Sequence, residues 1–206
     1  SEGDYVVFRE VEGMTELNDG VPRKVLATTP SSFTLEADTS AWGEHTTGGL
    51  VGQVKVPTSV AFASLADRLV APVPADDPAG MLITPDAGKW GRSEQLHLAF
   101  EGLEAYRRTH GTLPPLRDAA AADAVVAATK AFLASTAGKP GALAVEEVEE
   151  GVARNLALTA AVELPALSAF FGGVVAQEVV KFTGKFSPLR QWLYLDAFEG
   201  LPTAGD

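Results

Sequence analysis

The sequence has no cysteine, only three histidines and no apolar run approaching the ~20 residues that a membrane-spanning helix needs. Without cysteine the chain can form no disulfide, no cysteine-ligated zinc site and no thiol nucleophile, and this composition fits a reducing compartment. None of His45, His97 and His110 has a histidine partner four residues away, the spacing that a metal site on a helix requires. We therefore expect neither a bound metal nor a membrane partner, and we interpret His97 as a hydrogen-bonded residue of a helical bundle.

Basic residues are also scarce. The 206-residue chain has 16 Lys and Arg against 27 Asp and Glu, which gives a net charge of −11. Nucleic-acid phosphates require clustered basic side chains, so a nucleic-acid partner is disfavoured and a partner with a basic face is favoured. With 46% hydrophobic and 21% charged residues, the chain can fold into one or two globular domains. It opens on Ser1-Glu2, without Met or an apolar leader, from which we expect a piece of a longer chain and no signal peptide.

The beginning of the chain, residues 1–63, predicts a small antiparallel β domain. Turn residues at 18–20 and 29–31 separate segments rich in Val, Phe and Thr. Strands this short and closely spaced favour a small barrel or sandwich, in which Gly48-Gly49 would mark a bulge or a turn. The predicted strands are residues 5–8, 24–28, 32–37 and 50–56.

Residues 64–158 predict a linker and a helical bundle. A short helix at 64–69 precedes residues 72–80, whose three prolines and two aspartates favour an exposed loop. Ser93 is expected to cap the next helix and Asp118 the one after it. A third helix is expected to place five residues on its inward face: Val145, Val148, Val152, Leu156 and Thr159. The acidic cluster of Glu146, Glu147, Glu149 and Glu150 is typical of a solvated helix face, and a docking surface for a basic partner is the alternative.

Residues 159–206 predict a helix followed by a buried strand. Pro165 suits the first turn of a helix, and apolar residues then recur at three- and four-residue spacing as far as Phe182. Gly184 suits the helix end, and Lys181 and Lys185 suit its negative pole. The run Trp-Leu-Tyr-Leu at 192–195 predicts the strand.

Two adjacent glycines interrupt this helix. Gly172 and Gly173 each cost a helix about 1 kcal/mol relative to alanine, so they predict close packing against another backbone. They are the only site residues that we select, in a structural role.

The sequence offers no catalytic group. It contains neither a GxGxxG after a predicted strand nor a GxxxxGK[ST] phosphate loop. Gln177, Glu178 and Lys181 could form a catalytic cluster, but without a nucleotide motif their spacing favours a salt-bridged helix face. We therefore select no catalytic, cofactor-binding or metal-binding residue.

The C-terminal region also contains a series of short motifs in a fixed order. They are Gly172-Gly173, Ala176-Gln177-Glu178-Val179, Lys181, Gly184-Lys185, Pro188, Gln191-Trp192-Leu193-Tyr194, Asp196-Ala197, Glu199 and Leu201-Pro202. This series resembles the end of the inactive adenylation half of the ubiquitin-activating enzyme family.

Motifs nearer the N-terminus resemble the same family. They include Gly3-Asp4-Tyr5-Val6, Glu10-Val11-Glu12-Gly13-Met14, Asp38-Thr39-Ser40, Gln53-Val54-Lys55-Val56-Pro57, Gln95-Leu96-His97 and Pro114-Pro115. The first four look like the family's first catalytic-cysteine half-domain, which carries no reactive cysteine, and the last two look like the helical bundle that follows it.

The resemblance implies an α+β multidomain chain with three parts. These are a small antiparallel β domain, a helical bundle, and the closing helix and strand of a Rossmann-like inactive adenylation domain. The whole enzyme would use ATP and Mg²⁺ to adenylate the ubiquitin C-terminus, capture ubiquitin as a cysteine thioester and pass it to a ubiquitin-conjugating enzyme. The family also implies a cytoplasmic and nuclear location.

For this segment the resemblance implies no cofactor and no activity of its own. It would scaffold the active half of the enzyme and help to position ubiquitin. Two alternatives stay open: a stand-alone binding or scaffold module for a ubiquitin-like protein, and the inactive subunit of a related modifier-activating enzyme. The β domain argues against the second alternative, because it is associated with the single-chain ubiquitin enzyme.

Overall fold

A computed structural model describes residues 1–57, 59–77, 79–184 and 186–200. The chain divides into two compact units, Ser1–Val60 and Ala61–Asp206. Lys185, which was expected at the negative pole of the last helix, lies outside the described residues, as does the Leu201-Pro202 motif.

The first unit contains one antiparallel sheet. Its strands are β1 (Tyr5–Glu12), β2 (Arg23–Thr28), β3 (Phe33–Leu35) and β4 (Thr47–Val54), in the order β3-β2-β1-β4. The four predicted strands and their antiparallel pairing are confirmed. In the described residues the sheet is a single open layer rather than the barrel or sandwich that the strand spacing favoured, because β3 and β4 remain its two edges.

Strands β1 and β4 are distorted where they pass the Gly-Gly pair. Glu10, Gly48 and Gly49 all have positive φ, of 58°, 71° and 113°. A Cβ on Gly48 would lie 2.6 Å from the carbonyl oxygen of Glu10, so only glycine fits there. The pairing of Val11 with Gly48 and of Arg9 with Leu50 keeps one register, so no residue is inserted and the predicted bulge or turn is wrong.

A 3₁₀ helix, Thr15–Asp19, covers one part of this sheet. The Asn18 side chain accepts a hydrogen bond from the Val11 N–H at 3.0 Å and donates one to the Val11 carbonyl at 2.8 Å. Asp19 receives two hydrogen bonds of 2.9 Å from the buried Arg23 guanidinium, which lies 5.0 Å from the centre of the Trp42 ring. These side-chain bonds hold the turn between β1 and β2 against the small core, which consists of Val6, Phe8, Val11 and Val25.

The second unit is helical. Its helices are α1 (Leu65–Val70), α2 (Arg92–His110), α3 (Ala119–Thr136), α4 (Glu150–Thr159) and α5 (Pro165–Lys181). Helices α2, α3 and α4 contact one another and enclose the core. The core residues are Leu96, Ala99, Leu103, Ala122, Val125, Val126, Val148, Val152, Ala153 and Ala157.

The helix starts differ in part from those expected. Asp118 caps α3 by accepting the Ala121 N–H at 3.0 Å, as predicted. Ser93 does not cap α2, which begins at Arg92; its buried hydroxyl instead donates to the Ile83 carbonyl at 2.7 Å. Helix α4 begins at Glu150, so Val148 precedes the helix that was predicted to carry it, although it still enters the core.

The described residues of the segment at 72–80 form the loop that its composition favoured, but only part of this loop is exposed. Pro72 and Pro74 are buried, while Ala75 and Asp76 beyond them are exposed. Proline has an apolar ring and no N–H to satisfy, so its burial leaves no unpaired donor.

Residues 192–195 do not form the predicted strand. Among the described residues of this unit no strand is available to pair with them. Their aromatic side chains instead contact the helices, with Tyr194 against the core.

Helix α3 is apolar enough to satisfy a length-and-composition test for a membrane helix, which buried core helices also satisfy. Its Ala122, Val125 and Thr129 are fully buried in this fold. Thr129 lies against Gly102 of α2, where an added Cβ would come within 2.0 Å of Thr129 Oγ1 and 2.8 Å of its backbone nitrogen. The two helices therefore approach closely at a position where α2 has no side chain.

This contact leads to a test with two glycines. Gly102→Ala should lower the free energy of unfolding by about 1–3 kcal/mol or more, because the methyl group overlaps the α3 backbone. Gly151→Ala is the matched control, since a Cβ on this helical glycine of α4 meets nothing within 4 Å. It should stabilise by about 0.4–1 kcal/mol through the unfolded chain. Urea unfolding measures both, and two stabilising substitutions would contradict the close approach.

Candidate functional site

Helix α5 exposes its apolar face. None of its 17 residues is buried, although they include Phe170, Phe171 and five valines or leucines. Val175, Val179 and the following Phe182 are 60%, 62% and 67% exposed. Pro165 occupies the first turn as predicted, and the helix ends at Lys181, three residues before Gly184. The predicted helix is thus confirmed. The described residues half-bury Leu167, Phe171 and Val174 but cover no residue of its apolar face completely.

The two glycines of α5 lie on this open surface. A Cβ on Gly172 or Gly173 would meet nothing within 4 Å among the described residues. Close packing at Gly172 and Gly173 therefore stays a prediction, and it concerns a contact beyond the described chain.

The polar residues of α5 link the helix to the segment that follows it. Glu178 forms an ion pair of 2.5 Å with Lys181 and also accepts the Leu189 N–H at 2.7 Å. The hydrogen bond from Lys181 and then that from Leu189 hold the pKa of Glu178 below its ordinary value. The salt-bridged interpretation of Glu178 and Lys181 is confirmed.

The C-terminal segment, residues 186–200, is anchored to α2 by a buried histidine. His97 is 1% exposed; its Nε2 lies 2.9 Å from the Leu69 carbonyl oxygen and its Nδ1 lies 2.8 Å from the Tyr194 hydroxyl. A carbonyl only accepts, so Nε2 carries the proton and Nδ1 accepts from Tyr194. This confirms the interpretation of His97 as a hydrogen-bonded residue of the bundle.

Burial keeps both partners neutral. It lowers the pKa of His97 and raises the pKa of Tyr194, since an ion at either position would lose its hydration. The pair therefore acts as a neutral hydrogen-bonded anchor.

Further contacts fix the remainder of the C-terminal segment. Trp192 Nε1 donates to the Arg68 carbonyl at 3.0 Å, and Gln191 both accepts the Ile83 N–H and donates to Asp77. Lys89 lies between Asp196 and Glu199, at 2.9 and 2.6 Å. The hydrogen bonds with Glu199 and Asp196 raise the pKa of Lys89. Side chains thus replace the strand pairing that the sequence predicted.

The other residues considered from the sequence do not converge on a site. His45 lies near the Gly48 carbonyl, and His110 bonds to the Tyr106 carbonyl and stacks on its ring. Within the described ranges no group of three or more histidine, aspartate or glutamate side chains could hold a metal ion. The predicted acidic helix face is not formed, because Glu146, Glu147 and Glu149 precede α4 and only Glu150 lies in it, where it pairs with Lys130 of α3. The sequence interpretation missed a cavity that the exposed Trp90 borders. The only sign of this cavity in the sequence was the position of this tryptophan between glycine and charged residues.

In class, the chain is an antiparallel β domain followed by a helical bundle, with an apolar helix left uncovered. Two family models match it in that order: the ubiquitin-activating enzyme E1 FCCH domain over residues 1–55, and the ubiquitin-activating enzyme E1 four-helix bundle over residues 56–133. The chain belongs to the ubiquitin-activating enzyme E1 family and corresponds to a segment of its members.

Curated relatives show the same relation along almost the whole chain. Ubiquitin-activating enzyme E1 1 of Arabidopsis thaliana is 41% identical over 203 residues, which are 98% of this chain and 18% of the relative. Ubiquitin-activating enzyme E1 1 of Candida albicans is 39% identical, over 98% of this chain and 19% of the relative. Ubiquitin-like modifier-activating enzyme 1 of Homo sapiens is 38% identical, over 97% and 18%. The chain therefore spans about a fifth of the length of these relatives.

The histidine anchor is testable by removing one oxygen. Tyr194→Phe keeps the ring but leaves the buried Nδ1 of His97 without a donor, which should cost about 1–3 kcal/mol of unfolding free energy. Tyr106→Phe is the control, because the hydroxyl of the half-buried Tyr106 makes no hydrogen bond in the described part of the chain. Denaturant unfolding compares the two variants, and equal losses would refute the anchoring role of the Tyr194 hydroxyl.

Proposed function

We propose that this chain is a non-catalytic segment of a ubiquitin-activating enzyme, which scaffolds the active half of the enzyme and helps to position ubiquitin. The observation that carries the proposal is the uncovered apolar face of α5. A continuous apolar surface of this kind marks an interface, because its exposure to water is unfavourable. The family resemblance supports the rest of the inactive adenylation domain as the element that covers it.

The anchored C-terminal segment supports the scaffold role. Glu178 joins α5 to Leu189, and Tyr194 and Trp192 join the same segment to α2 and α1. Hydrogen bonds and ion pairs therefore fix the position of the bundle relative to α5, and with it relative to an adenylation domain that contacts α5.

The chemistry of the whole enzyme belongs to residues outside this segment. We propose that the enzyme adenylates ubiquitin with ATP and Mg²⁺, forms a cysteine thioester, and transfers ubiquitin to a conjugating enzyme in the cytoplasm and nucleus. This chain has no cysteine and no phosphate-loop motif, and its described residues hold no carboxylate cluster suited to a metal. We therefore derive no catalytic step from its side chains.

The β domain is the part that we place nearest to ubiquitin, by family resemblance. Its edge strand β4 offers a surface suited to such a contact. Leu50 is 57% exposed there, and β4 has a free edge in the described sheet.

Chemical-shift mapping with ¹⁵N-labelled ubiquitin tests this placement. Unlabelled chain should shift a contiguous set of ubiquitin resonances, and Leu50→Glu should weaken these shifts because it places a charge in the apolar contact. Val21→Glu, at an exposed apolar residue outside the strands, should leave them unchanged. Shifts that persist with a chain lacking residues 1–63 would place the ubiquitin contact elsewhere.

Gly173→Ala tests the covering of α5 in the full-length enzyme. If another backbone packs on Gly173, the added methyl group should lower the melting temperature. Gly151→Ala is again the control, since both glycines are helical and open within this segment, and it should raise the melting temperature. A rise for both variants would show that water, and not another domain, faces Gly173.

A further inference from the structure

A groove in the helical unit lies apart from α5. It is a cavity of about 590 Å³, a size common among ligand sites of proteins. The loop after α1, the beginning of α2 and the loop before α4 form its walls, and Pro74, Met81 and Leu143 contribute apolar surface. We call this cavity the acidic groove because of the side chains described next.

Four carboxylates line the acidic groove: Asp77, Glu94, Glu146 and Glu147. Its described lining contains no Lys, Arg or His. None of the four carboxylates forms an ion pair with a described basic side chain. Their negative charge is therefore not neutralised within the described chain, and a concave wall of one sign concentrates the field inside it.

Lys181 and Arg190 line a neighbouring cavity that shares Asp77 and Trp90 with the groove, but they pair with Glu178 and Asp76. The basic residues on either side of Trp90 in the sequence are also paired. Lys89 binds Asp196 and Glu199, and Arg92 lies 3.7 Å from Glu149 and 3.8 Å from Asp196. They flank Trp90 in the sequence without lining the groove, so they leave its charge in place.

The walls of the groove are held in position by α2. The Gln95 amide donates to the Glu147 carbonyl at 2.9 Å and accepts the Glu149 N–H at 2.8 Å. Glu94 accepts the Leu82 N–H through Oε1, while its Oε2 is buried and has no hydrogen-bond partner among the described residues.

Trp90 adds a surface for a cation. Its side chain is 74% exposed and borders the acidic groove. An indole face attracts Arg and Lys side chains, and it does so more strongly where carboxylates surround the same space.

We propose that the acidic groove binds arginine or lysine side chains presented by a basic segment of a partner protein. Trp90 packs on the cation, Glu146, Glu147 and Asp77 supply the opposing charge, and the apolar wall receives the aliphatic part of the side chain. Four carboxylates that have no ion-pair partner among the described residues repel phosphates, so charge complementarity selects a basic protein segment over a nucleic acid or an anionic lipid surface. This binding site is independent of the proposed scaffold role of α5.

Fluorescence anisotropy of a dye-labelled peptide tests the site in the full-length protein. The probe is the blocked peptide Gly-Arg-Ser-Arg-Gly, and its comparison peptide carries uncharged citrulline at both arginine positions. The arginine peptide should bind with saturation, and at least tenfold more tightly than the citrulline peptide, with an affinity that falls as salt rises. Trp90→Ala should weaken it several-fold, whereas Trp90→Phe, which keeps an aromatic face, should retain part of the affinity.

Charge-matched variants distinguish the acidic groove from general attraction to an acidic protein. Glu146→Gln/Glu147→Gln should weaken binding about tenfold. Glu2→Gln/Glu163→Gln removes the same charge from exposed residues outside the groove and should leave binding unchanged. Equal losses in the two double variants, equal affinity of the two peptides, or no saturable binding of the arginine peptide would each overturn the proposal.

Discussion

The contact between Gly102 of α2 and Thr129 of α3 leaves no room for a side chain at Gly102, and the packing of these two helices depends on it. Side chains normally keep two helix backbones well apart, but here a glycine lets the α3 backbone lie against α2. Thr129 uses its hydroxyl to donate to Val125 of its own helix, so the close approach leaves no buried donor unpaired. With that distance set, the apolar residues on either side of Gly102 meet those of α3 and α4 in one core.

Helix α2 also carries polar side chains that form hydrogen bonds with the segments surrounding the bundle. Ser93 and Glu94 bond to the backbone of residues 82 and 83, Gln95 to that of 147 and 149, and His97 to Leu69 and Tyr194. The bond to Leu69 joins α2 to α1, and the other bonds join α2 to segments that are neither helix nor strand. Because a buried polar group must find a partner, these side chains give irregular loops a defined position that hydrophobic burial alone would not specify.

The two candidate interaction surfaces rest on different physics. The face of α5 is apolar and continuous, so it favours a permanent contact that removes it from water, in keeping with a segment that spans about a fifth of its relatives. The carboxylates of the acidic groove are well hydrated when no partner is bound, so the groove favours a reversible contact with a basic partner. One chain can therefore serve both a fixed and an exchangeable interface.

The sequence by itself determined the elements whose signals are local. Strands β1 to β4, the Asp118 cap, Pro165 at the first turn of α5 and the pairing of Glu178 with Lys181 all depend on residues within a few positions of each other. The family, too, was readable from ordered motifs, and the matches to its FCCH and four-helix-bundle domains confirm it.

Only the tertiary structure decided how polar and irregular residues are used. Ser93 has the right chemistry for a helix cap, yet a carbonyl ten residues away in the sequence binds its hydroxyl. Residues 192–195 have strand propensity, but a strand needs a partner, and the described chain offers helices in its place. Trp90 and the four carboxylates are spread over 71 positions, from Asp77 to Glu147, and only the fold of the loops around α2 brings them to one groove. Local propensity carries no information about such distant partners, because they are set by the packing of the whole unit.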